Sequence, residues 1–189
     1  MYSIQTTSGF VIDSKPYGEA GKALSIFTRD LGLVRAMAQG IRLEKSKLRY
    51  HAADYSFGEF SFVRGRDWWR LTSAHGYGQG KSQELIAKIA LLLKRLLHGE
   101  EPHPELFDEI KRGTDFLTNN PDMSDEQLKT FESVMVLRIL HSLGYVGKDE
   151  KLSDCLESSE ITLELLKNCE GKRNYINQVI NKGLKESHL

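Results

Sequence analysis

The spacing of apolar residues changes period once along this chain, and that change sets its class. Up to about residue 75 the apolar positions recur every second residue, and from residue 85 onward every three to four. Alternation places every other side chain on one face of a strand, whereas the longer period draws a stripe along a helix. Strands therefore come first and helices after, without the strand–helix interleaving that builds parallel sheets. This pattern predicts an α+β protein in two segregated parts. At 189 residues the chain suits one large domain or two small ones. The expected division is residues 1–80 and 81–189.

Five short strands are expected in the first part. Phe10, Val11 and Ile12 form a brief apolar run, closed by a turn at Lys15, Pro16, Tyr17 and Gly18. Residues 23–28 form a second strand, ended by Arg29, Asp30, Leu31 and Gly32. Residues 33–39, 55–64 and 68–74 alternate and complete the set. Five strands with one long polar loop, residues 41–53, suit a small barrel better than an open sheet, which predicts an OB-fold.

The second part is expected to be all helical. Ser82 can cap a helix striped with Leu85, Ile86, Ile89, Leu92, Leu93, Leu96 and Leu97 and ended by Gly99. Pro104 starts another, carrying Leu106, Phe107, Ile110 and Leu117. Ser124 with Gln127 makes a capping box for the longest helix, which Gly144 closes. Weaker helices follow at about residues 159–169 and 173–185.

Several functions are disfavoured. No apolar run approaches the roughly 18 to 20 residues of a membrane span, and the N-terminus lacks the basic-then-apolar pattern of a secretory signal. Residues 76–82, Gly-Tyr-Gly-Gln-Gly-Lys-Ser, approximate a phosphate-binding loop, but the glycine spacing is one residue short. They read better as a glycine-rich hinge before a serine cap. No catalytic motif and no cofactor motif is present. Cys155 and Cys169 form no close pair for zinc and no disulfide framework, so they are read as thiols in a reducing, cytoplasmic compartment.

Charge carries the positive signal. The 26 Lys and Arg balance the 26 Asp and Glu, yet residues 1–80 hold 11 bases against 7 acids, and residues 81–189 hold 15 against 19. The basic excess is densest at Arg35, Arg42, Lys45, Lys47 and Arg49, with Tyr50 beside them. A second cluster is Arg64, Arg66, Trp68, Trp69 and Arg70. Cations neutralise phosphates and aromatic rings stack on bases, so these residues are candidates for nucleic-acid binding. Alternation turns one of the two adjacent tryptophans into the barrel and does not say which.

The segments 10–19, 27–32, 38–42 and 46–48 resemble the N-terminal domain of the bacterial RecO family. So do Trp69-Arg70-Leu71-Thr72-Ser73-Ala74, Phe131-Glu132 and residues 140–145, in the same order. The resemblance covers about residues 1–146. It implies an OB-fold followed by a helical domain and a non-enzymatic role in recombinational DNA repair, in the cytoplasm at the nucleoid. The family binds single- and double-stranded DNA, anneals complementary strands, and with RecR helps load RecA onto strands coated by single-strand-binding protein. Carried over, the DNA contacts would be Arg35, Arg42, Lys45, Lys47 and Arg49. The helical domain would receive the acidic tail of single-strand-binding protein, with Lys129 and, as its companion, Arg138. Many members carry a four-cysteine zinc knuckle after the Leu-Gly-Tyr segment, where this chain has Cys155 alone. The competing expectation is a protein-interaction adaptor of the repair machinery that has lost DNA binding.

Overall fold

A computed structural model of the chain describes residues 3–77 and 83–186. The expected Ser82 cap and most of the glycine-rich stretch lie outside the described residues. Five strands, β1 (Ile4–Tyr17), β2 (Gly21–Thr28), β3 (Gly32–Ala38), β4 (Phe57–Arg64) and β5 (Trp69–Gly76), close into a barrel in the order β1-β2-β3-β5-β4. All neighbours are antiparallel except β3 and β5. This is the OB-fold expected from the alternation.

The first strand is far longer than its apolar run, because it serves two partners. Residues 4–10 pair with β4 and residues 9–17 pair with β2, with a bulge between Val11 and Asp13 that bends the strand. Its first half shows no alternation because Ile4 points to solvent while Thr7 is buried. The turn falls after Tyr17, since Pro16 stays in the strand opposite Lys22. Val11, Leu24, Ile26, Val34, Ala36, Phe60, Phe62, Trp69 and Leu71 fill the barrel. Phe10 stacks on Phe57 at 4.4 Å, and Phe107 meets Phe27 and Phe57 edge-on. Strands covered on both faces read as continuous apolar runs, which explains why residues 10–12 do not alternate.

The long polar loop contains a short helix, α1 (Leu48–His51). Ile41 and Ala52 are buried in the barrel core and Leu48 packs against it, so the segment is anchored at three points. Helix α2 (Gln83–Leu96) lies against β1, where Lys94 pairs with Asp13 at 2.8 Å. The chain then returns along the β2–β3 turn, with Leu33 N donating to Gly99 O at 3.1 Å. Gly32 is required there. Its φ is +71°, and a Cβ would sit 2.3 Å from the Glu101 carbonyl oxygen. The chain divides into two compact units after Phe107, so α2 belongs with the barrel, whereas the sequence pattern places a boundary at 80/81.

The second unit centres on α4 (Asp125–Ser142), which α5 (Ser153–Glu157), α6 (Leu163–Glu170) and α7 (Arg173–Glu186) all contact. Helix α3 (Pro104–Asn119) spans the division between the units. Ser124 and Gln127 form the expected reciprocal capping box at the start of α4.

The cysteines require a correction. Cys155 of α5 and Cys169 of α6 are bonded to one another, with Cα atoms 6.2 Å apart, rather than being thiols. Both helices pack on α4, which brings together two residues that spacing alone leaves unrelated. A cross-link over 14 residues is expected to contribute about 3 kcal/mol. Adding a reductant should therefore lower the thermal midpoint of the helical signal at 222 nm, and an unchanged midpoint would show that the bond carries no stability.

Candidate nucleic-acid interface

The outward side chains of four strands bring the two sequence clusters partly together. In register, Lys15 faces Ala23, Ala23 faces Met37, and Met37 faces Arg70. Neighbouring strands lie about 4.8 Å apart, so these residues form one row across the sheet. Arg35 points outward two residues from Met37 on the same strand. Trp68 stands in the β4–β5 turn, 38% exposed, and reaches Tyr17 with ring centroids 6.0 Å apart. Trp69 is the inward tryptophan, 6% exposed and packed on Phe62. Tyr17 was missed by the sequence reading because it lies in a segment that reads as a turn.

The cations differ in availability. Arg35, Arg42, Lys45, Lys47, Arg49, Arg66 and Arg70 are exposed, and no side-chain ion pair engages them among the described residues. Arg64 is committed elsewhere. Its Nη1 donates to both oxygens of Glu100, at 2.7 and 2.6 Å, and the guanidinium lies 4.8 Å over the Trp69 ring. Trp69 Nε1 donates to the same carboxylate at 3.0 Å. Glu100 follows Arg64 by 36 residues, so no local pattern reveals the pair.

The basic segment is held at both ends. Arg42 N donates to Ala20 O in the β1–β2 turn, and Gly76 N at the end of β5 donates to His51 Nδ1 at 3.2 Å. That bond requires the His51 tautomer protonated at Nε2. Arg42, Lys45, Lys47 and Arg49 thus project from a backbone fixed by Ile41, Leu48 and Ala52, not from a free loop.

In the second unit the two sequence candidates separate. Arg138 is buried: Nε donates to Cys155 O at 2.7 Å and Nη1 to Glu109 Oε1 at 2.8 Å, while the buried Nη2 has no partner among the described residues, so the guanidinium is enclosed by the fold. Lys129 is exposed and borders a groove of about 340 Å³ lined by Glu132, Ser133, Val136, Arg173, Asn177 and Ile180. Glu126 accepts from both Lys129 and Arg173, and these hydrogen bonds and charges lower its pKa from 4.5 to about 2. Arg173, at the first position of α7, carries no signal in the sequence beyond its place in a Lys172-Arg173 pair.

Comparison with known proteins addresses the first unit most directly. Residues 1–77 match the family described as Recombination protein O N terminal. The barrel is thus similar to the N-terminal domain of that family. Among its relatives, the DNA repair protein RecO of Rubrobacter xylanophilus is 27% identical over 159 residues, covering 81% of this chain and 62% of the relative. That of Acaryochloris marina is 37% identical over 110 residues, covering 53% and 37%. That of Desulfitobacterium hafniense DCB-2 is 25% identical over 152 residues, covering 77% and 54%. The chain thus spans about half the length of the RecO relatives it matches.

Proposed function

We propose that this chain is a DNA-binding recombination mediator of DNA repair, acting without catalysis. The observation that carries the reading is the anchored segment from Arg42 to Arg49, whose four cations are exposed and, among the described residues, in no ion pair, on the same barrel as the exposed Arg35 and Arg70. Fixed cations bind a polyanion at less cost in ordering than a flexible loop. They contact the backbone rather than base edges, so single and double strands are both ligands. Neutralising two backbones at once lowers the repulsion between complementary strands, which is the physical basis of annealing. With RecR, the chain would help load RecA onto strands coated by single-strand-binding protein, in the cytoplasm at the nucleoid.

The groove beside Lys129 is the proposed seat for the acidic tail of single-strand-binding protein. Arg173 replaces Arg138 as the companion cation, because Arg138 is enclosed. An incoming carboxylate would displace Glu126 from Lys129 and Arg173.

The test is binding to a labelled single-stranded oligonucleotide across a salt series. Neutralising four or five phosphates gives a log–log slope of roughly −3 to −3.5, at about −0.7 per contact. Absence of binding at low salt would refute the reading and favour an adaptor that has lost DNA binding, for which the neutralised Arg64 is the supporting observation.

A further inference from the structure

The barrel face carries a depression of about 330 Å³, lined by Met37, Gln39, Val63, Trp68, Trp69 and Arg70, with Arg64 at its rim. This volume lies at the small end of small-molecule sites. Its floor is apolar, from Met37 and Val63, and the exposed Trp68 ring supplies an aromatic wall. The rim is less cationic than the sequence implies, because Glu100 neutralises Arg64 through both carboxylate oxygens. A phosphate there would face an apolar floor. A flat, weakly polar aromatic ring would instead stack on Trp68 and offer its edge to the Gln39 amide.

We propose that this depression is a nucleobase pocket that receives one unpaired base, while Arg70 and Arg35 hold the adjoining phosphates. The inference rests on the barrel binding nucleic acid and adds what the cations do not give, a preference for unpaired strands. A base within a duplex has both faces stacked and cannot enter, so duplex is held by the cations alone.

The experiment compares oligothymidylate with an oligomer of abasic sites of equal length and charge, which retains the phosphates and lacks the rings. Oligothymidylate should bind about 5- to 150-fold more tightly, the range for one stacked base, and should quench tryptophan emission where the abasic oligomer does not. Trp68→Ala should reduce oligothymidylate affinity to the abasic level and leave abasic affinity unchanged. Equal binding of the two oligomers by the unaltered chain would overturn the pocket and leave backbone binding intact. Failure of both to bind at low salt would overturn the nucleic-acid reading itself, and the pocket with it. Loss of both affinities in parallel on Trp68→Ala would assign the ring a structural role and overturn the pocket.

Discussion

Arg138→Ala is expected to lower the unfolding free energy of the helical unit by about 3 kcal/mol, the low end of the 3 to 5 kcal/mol seen when one partner of a buried pair is removed. The side chain is 3% exposed and its Glu109 partner 14%. Truncation leaves that carboxylate with Arg112 alone, at 2.8 Å, and strips the Cys155 carbonyl of its donor. Arg112 is 47% exposed and softens the loss, which is why the lower figure applies. The buried Nη2 already lacks a partner, so the pair is not optimal. Replacing both members with apolar residues, Arg138→Met with Glu109→Leu, should therefore restore most of the stability. Urea unfolding followed at 222 nm reports the helices, whereas both tryptophans report the barrel. A loss below about 1 kcal/mol for the single change would show the guanidinium to be solvated in solution.

Lys45→Glu combined with Lys47→Glu should weaken single-strand binding by about 100-fold or more near 0.1 M salt. Two lost contacts remove about 1.4 from the log–log slope, a factor of roughly 25 at that salt, and two new anions repel the backbone besides. Stability should change by less than about 0.5 kcal/mol, because both side chains are exposed and the segment is held by Ile41, Leu48 and Ala52. An unchanged affinity would remove this segment from the interface. A weaker affinity at an unchanged slope would mean that the lysines act through the fold rather than on phosphate.

The two changes draw on different kinds of information. Lys45 and Lys47 were readable as candidates because exposed charge survives in any fold that leaves the loop outside. Arg138 looked equally available in sequence, where a cation on a helix is ordinarily solvated. Only the packing of α4 against its neighbours showed that it faces inward.

The sequence by itself determined the class, the strand-then-helix order, the barrel and the α4 capping box. Each depends on periodicity or on contacts within a few residues, which the backbone geometry imposes locally. It also determined where positive charge concentrates. Tertiary structure decided that β1 runs back to Ile4, that Trp69 turns inward and Trp68 outward, and that Glu100 claims Arg64. It likewise decided that Cys155 meets Cys169. These outcomes join residues 14 to 36 apart or depend on which face a neighbour covers, as with Glu100 on Arg64. Closing the barrel and packing α5 and α6 on α4 select such pairs from the many that the sequence leaves equally open, because only one arrangement buries both partners at once.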